Sequence, residues 1–251
     1  MNDPTNALTV LGIEQGLRAA VPEAVFASPR VVRRIIRADL DLPLLVARVP
    51  HRESIALSPA RLLELADDVW ALPERCPETI LLVARPDPAP LTAGDSAGLL
   101  REYWRRLYHG CLDIAARHCL ATHAAAGEDF ARLVHDVGET AFDEARSVLV
   151  QEGRVREGDG TRTVLAEFIA VFLEFVTFAP DLLPVWFPAI EDGQGLHDRL
   201  ASLVDAPTIL ARTRPEGLTA HGSQPPAIDT AEPFTSAAQT LGAPRPVGRL
   251  T

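Results

Sequence analysis

Apolar residues recur along this chain with two different periods, and the change between them divides it. Up to about residue 90, helix-like and strand-like runs alternate. Residues 5–20 and 30–40 repeat apolar positions at helical spacing, the second run opened by Ser28 as N-cap and Pro29 in the first turn. Residues 44–49 (LLVARV) and 53–57 (ESIAL) are short β-prone runs separated by Pro50, His51 and Arg52, a pattern that predicts a hairpin. Ser58 and Pro59 then start another helix through ARLLELADDVW. Residues 79–84 (TILLVA) read as a third strand, apolar on both faces and therefore buried. Pro86, Pro88 and Pro90 close this region with a stiff connection.

Beyond residue 90 the period is helical and stays so. In residues 99–121, Leu100, Tyr103, Trp104, Leu107, Cys111 and Ile114 recur at steps of three and four. Residues 128–152 repeat the pattern through Phe130, Val134, Val137, Ala141, Ala145 and Val148, which predicts one helix. Residues 153–160 are charged and Gly-rich, a break. Residues 163–179 form a helix apolar on nearly all sides, the habit of a central bundle helix. Its one strong polar stripe is Thr163, Glu167 and Glu174, because seven residues bring a side chain back to within about 20°. Such carboxylates call for buried Arg partners. Pro180, Pro184 and Pro188 turn the chain away, and short helices near 196–204 and 207–212 follow.

From residue 217 to 251 the pattern dissolves into Pro, Ala, Thr, Ser and Gly with no apolar period, too little to offset the entropy of ordering. The fold class expected is α+β and predominantly helical. A small three-stranded unit (1–90) precedes a helical bundle (91–216), and a disordered tail or linker (217–251) follows. Such a tail suits an N-terminal piece of a longer parent chain.

Composition then removes several kinds of chemistry. All 24 basic residues are Arg, so the chain offers no lysine for a Schiff base and none for a phosphate-binding loop or kinase site. Pyridoxal-phosphate, kinase and Walker-type NTPase mechanisms are excluded on that ground, and no cofactor is expected. The net charge of −10 works against a polyanionic partner such as nucleic acid or an anionic membrane. The longest apolar run, 164–180, falls short of the ~20 residues a spanning helix needs and holds two Glu. The start MNDPTNALTV does not read as a secretory signal, and Cys76, Cys111 and Cys119 are an odd count without CxxC spacing. A cytoplasmic location follows as the expectation.

Four groups of residues are candidates for chemistry or binding. Gly94-Asp95-Ser96-Ala97-Gly98 satisfies GxSxG and resembles the GDSAG nucleophile elbow of hormone-sensitive-lipase-type esterases. That resemblance implies a serine hydrolase with Ser96 as nucleophile, and His197 or His221 as the base by default. No HGGG-type oxyanion segment lies upstream, and the same five residues also fit a loop ending in a helix N-cap. His135 with Glu139, and Cys111, His118, Cys119 and His123, are the metal-type donors; neither set has the pair spacing of a bundle di-metal or zinc site, and no metal is expected.

Arg30, Arg33, Arg34 and Arg37 share one helix face, and Arg48 and Arg52 lie on the hairpin expected to follow. A helix followed by two strands resembles a winged helix in outline, which would make the chain a nucleic-acid-binding regulator. Last, Trp186 and Phe187, set between Pro184 and Pro188, concentrate aromatic surface where regular packing is interrupted. The reading favoured by the sequence is a non-enzymatic cytoplasmic interaction or adaptor domain whose partner is another protein or another part of a longer chain.

Overall fold

Short polar residues set the helix starts of the first half, at Ser28 and Ser58 as the sequence leads one to expect and at Thr9 besides. The structure, a computed structural model, describes residues 9–39, 53–65, 77–87, 96–125, 130–215 and 218. Thr9 Oγ1 accepts the Gly12 N–H at 3.1 Å and opens α1 (Val10–Ala20). Ser28 Oγ accepts from Val31 N and opens α2 (Pro29–Asp39), and Ser58 Oγ accepts from Arg61 N and opens α3 (Pro59–Leu65). Between these helices run β1 (Ala24–Ala27), β2 (Ser54–Leu57) and β3 (Ile80–Ala84).

The strands form one sheet in the order β1-β3-β2, with β1 parallel and β2 antiparallel to the central β3. Strand β1 was not anticipated. AVFA is only four residues long and squeezed between Pro22 and the Ser28-Pro29 helix start. The first strand of the expected hairpin, residues 44–49, lies outside the described residues. The described partner of β2 is β3, with Ile55 opposite Leu82.

Alternation along the strands sends side chains to both faces of the sheet. Val25, Ala27, Ile55, Leu57, Ile80, Leu82 and Ala84 meet Val32, Ile35 and Ile36 of α2 and Leu62 of α3. Ala24, Phe26, Leu81 and Val83 instead join Ile13 and Leu17 of α1 in the core of the helical half. That second face rests on α4 (Ser96–Ala125), a helix of 30 residues. A Cβ on Gly110 would sit 2.4 Å from Leu81 Cδ1, so the absence of a side chain there lets α4 press onto β3. Tyr103 O–H donates to the Ala84 carbonyl at 2.8 Å, and Arg106 pairs with both Glu102 and Glu53 beside it.

The single helix expected over 128–152 is two helices. Gly138 adopts φ +93°, which only glycine holds without strain, and separates α5 (Ala131–Val137) from α6 (Glu139–Gln151). A periodicity count misses this because apolar spacing continues across the break. Next comes α7 (Thr161–Phe178), buried without interruption from Val164 to Phe175 and packed along α4. A 3₁₀ turn (Pro180–Leu182) and the short α8 (Leu183–Trp186) reverse the chain. Helices α9 (Gly193–Val204) and α10 (Ala206–Thr213) then pack on α4. The fold is thus α+β and predominantly helical, with a small three-stranded sheet on its N-terminal side. Among the described residues no helix is long and apolar enough to cross a membrane.

Candidate functional site

Helix α7 has no solvent-facing side, so its two carboxylates must be neutralised inside the protein or their desolvation would unfold it. Glu167 and Glu174, each 2% exposed, lie on the stripe that faces α4. Helix α4 answers with Arg105 and His109, one turn apart. Arg105 Nη1 donates to Glu174 Oε1 at 2.6 Å, and His109 Nδ1 lies 2.8 Å from Glu174 Oε2, bent away from a straight hydrogen-bond line. On the other side of the ring, His109 Nε2 stands 3.6 Å from Glu167 Oε1 and 3.4 Å from Arg154 Nη1. Arg154, from the loop of residues 152–160, also donates to Glu167 Oε1 at 3.3 Å.

Charge and proton bookkeeping favour one arrangement at neutral pH. Two carboxylates face two guanidinium groups, so a neutral imidazole leaves the five-residue group balanced. With its proton on Nδ1 the ring turns that N–H toward Glu174, off the straight line, and offers Nε2 as the acceptor that Arg154 meets. Burial alone would push the Glu174 carboxyl up. The nearby His109, with Arg105 and Arg154, outweighs it and holds the group at about 2. The polar line continues along α4 with Asp113, which takes Arg117 at 2.9 Å.

This geometry is that of a clasp. A carboxylate orienting an imidazole also occurs in catalytic dyads, but here the far ring nitrogen faces Arg154 and Glu167. Among the described residues no group of three or more His, Cys, Asp or Glu is arranged to hold a metal. The expected Arg partners of Glu167 and Glu174 are present; His109 was not foreseen. A signal existed: Arg105, His109, Asp113 and Arg117 recur every fourth residue on α4, one polar face in register with the glutamates.

The other candidates fall in separate places. Ser96 is the first residue of α4, residues 85–95 intervene between β3 and it, and the next histidine on that helix, His109, is about 20 Å further along the axis. A nucleophile elbow follows its strand directly, and Gly94, Asp95 and His221 lie outside the described residues. His135 and Glu139 flank the Gly138 break on different helices and are both exposed. On α4, Cys111 is buried, with its thiol pushed up to about 12 by burial, while Cys119 is half-buried and His118 exposed.

Arg30, Arg33 and Arg34 are exposed on the side of α2 opposite the buried Val32, Ile35 and Ile36, and Arg37 is half-buried. Phe187 is 2% exposed and meets Phe168 edge-on at 5.3 Å, so it belongs to the core. Trp186 is half-buried against Phe175, and Val185, 71% exposed, is the outward residue of that segment. No family model, no curated protein and no solved structure matches this chain.

Proposed function

We propose that this chain is a binding module rather than an enzyme, and that it docks an acidic partner protein on the outer face of α2. One observation carries the reading. Helix α2 is fixed to the sheet by Val32, Ile35 and Ile36, each fully buried, and turns Arg30, Arg33 and Arg34 outward. The three guanidinium groups form a positive stripe on a chain whose net charge is −10, a polarity that steers an acidic surface to one place and one orientation. Arg suits the task because its planar fork takes a carboxylate through two hydrogen bonds. Cys111 and Cys119 are thiols rather than halves of a disulfide, which fits a reducing compartment and supports action in the cytoplasm.

The test compares wild-type chain with the triple variant Arg30→Glu/Arg33→Glu/Arg34→Glu, both shown folded by circular dichroism, as baits in a lysate of the source organism. The expected result is a stoichiometric protein held by wild type in low salt, weakened in high salt and lost by the variant. A partner held equally by both baits would move the interface elsewhere. Retention of nucleic acid in place of protein would turn the reading into that of a regulator using the same stripe.

A further inference from the structure

The loop of residues 152–160 touches two distant parts of the molecule. Arg154 reaches into the clasp between α4 and α7, where its Nη1 stands 3.4 Å from His109 Nε2 and 3.3 Å from Glu167 Oε1. Two residues further, Arg156 Nη2 donates at 2.8 Å to the carbonyl of Asp39, the last residue of α2. Val155 between them is buried and pins the loop, while the Asp159 carboxylate accepts the Arg156 N–H at 2.8 Å. One short segment therefore joins the buried ion cluster to the C-terminal end of the helix that carries the Arg stripe.

The atoms at the centre of the clasp make a triangle of nearly equal sides. His109 Nε2, Arg154 Nη1 and Glu167 Oε1 are separated by 3.3, 3.4 and 3.6 Å. Only one proton arrangement at a time can satisfy it. With Nε2 bare, the ring accepts from Arg154. With a proton on Nε2, the ring becomes a donor and a cation, it faces the Glu167 oxygen favourably and the Arg154 guanidinium unfavourably, and its contact with Arg154 turns repulsive. The proton comes from solvent, which the ring still reaches at 14% exposure.

We propose that His109 is a proton-operated switch on this loop: protonation exchanges Arg154 for the imidazolium as the partner of Glu167, loosens the loop, and weakens the Arg156 cap on α2. Three elements supply charged groups around the ring among the described residues. Helix α4 supplies Arg105 and, a turn on, Asp113 with Arg117; α7 supplies Glu167 and Glu174; the loop supplies Arg154 with Asp159 behind it. The sheet side meets this part of α4 through the apolar contact of Leu81 with Gly110 and, a turn before the ring, through Glu53 on Arg106. Glu174 Oε2 stands 2.8 Å from Nδ1, on the side of the ring away from the loop, and the change falls on the side that faces the loop. The inference rests on this geometry and not on the identity of whatever α2 binds.

The experiment is a pH titration of the full chain, read by nitrogen-15 shifts of the His109 ring and by amide hydrogen exchange of residues 153–160. At neutral pH the ring is expected as the Nδ1–H tautomer. As pH falls, Nε2 takes a proton and loop exchange, taken relative to the intrinsic amide rate at each pH, rises about tenfold with the same midpoint, the worth of one charge-assisted hydrogen bond. In His109→Gln, which cannot take up the proton, loop exchange relative to the intrinsic rate stays flat over that range. If that variant fails to fold, coincidence of ring and loop midpoints in the wild type still decides the matter. An Nε2–H tautomer at neutral pH, a ring that stays neutral until the protein unfolds, or a ring that titrates while the loop amides do not respond would each overturn the proposal.

Discussion

Two sets of arginines in this molecule behave in opposite ways. Arg105 and Arg154 are mostly buried, at 29% and 22% side-chain exposure, and neutralise two carboxylates that would otherwise be stranded in a helix with no wet side. Arg30, Arg33 and Arg34 stand in solvent on the far side of an amphipathic helix. Residue type is the same in both places; the local dielectric decides what the charge does. In the clasp each charge matters because removing its partner leaves it desolvated and uncompensated. On α2 water and salt screen each charge, so the stripe adds little to folding.

The contrast is broken most severely by Glu174→Ala, which leaves Arg105 and His109 facing an apolar void. A loss of about 3–5 kcal/mol is expected in urea denaturation. A related effect is expected from acid. The Glu174 carboxyl titrates at about 2 in the folded chain against 4.5 ordinarily, so the ionised form is the one that folding favours. Its contribution is fully present above pH 4.5 and is lost as pH falls toward 2. Stability measured across that window should show wild type ahead of Glu174→Gln by on the order of 3 kcal/mol at the top and level with it at the bottom.

Smaller and sharper is the double-mutant cycle of Arg105→Met with Glu174→Leu. The pair should couple by about 1–3 kcal/mol, because each single change strands the other charge and the double change does not. At the lower end, Arg30→Ala, Arg33→Ala and Arg34→Ala should each shift stability by no more than about 0.5 kcal/mol. A cost above 1 kcal/mol for any of the three would show that the stripe is part of the folding machinery after all.

Much of this was legible in residue patterns. The glutamate stripe of α7 follows from a seven-residue spacing in an apolar helix, and the need for Arg partners follows from the cost of burying charge. The Arg face of α2 follows from its period. Strand β1 was not legible, since four apolar residues between two helices carry no period of their own. Nor was the split at Gly138, where the helical spacing runs straight through a residue whose backbone does not. Phe187 reads as an exposed aromatic among prolines, and only the path of the chain around α8 drives it into the core against Phe168 and Phe175.

What the sequence determined by itself was local: which segments are helical, which face of each is apolar, where caps fall, and that no lysine chemistry is possible. These depend on neighbours within a turn or two, and the information lies in the same stretch of chain. Tertiary structure decided which helix meets which, and thereby joined Arg105 and His109 to carboxylates about sixty to seventy positions away and Arg156 to the end of α2, 117 positions away. Those pairings depend on the rotation of α4 about its axis, which is fixed by the bare backbone of Gly110 against Leu81 and by the core around α7. A sequence pattern states that a charge must be met; only the packing of the whole chain selects the residue that meets it.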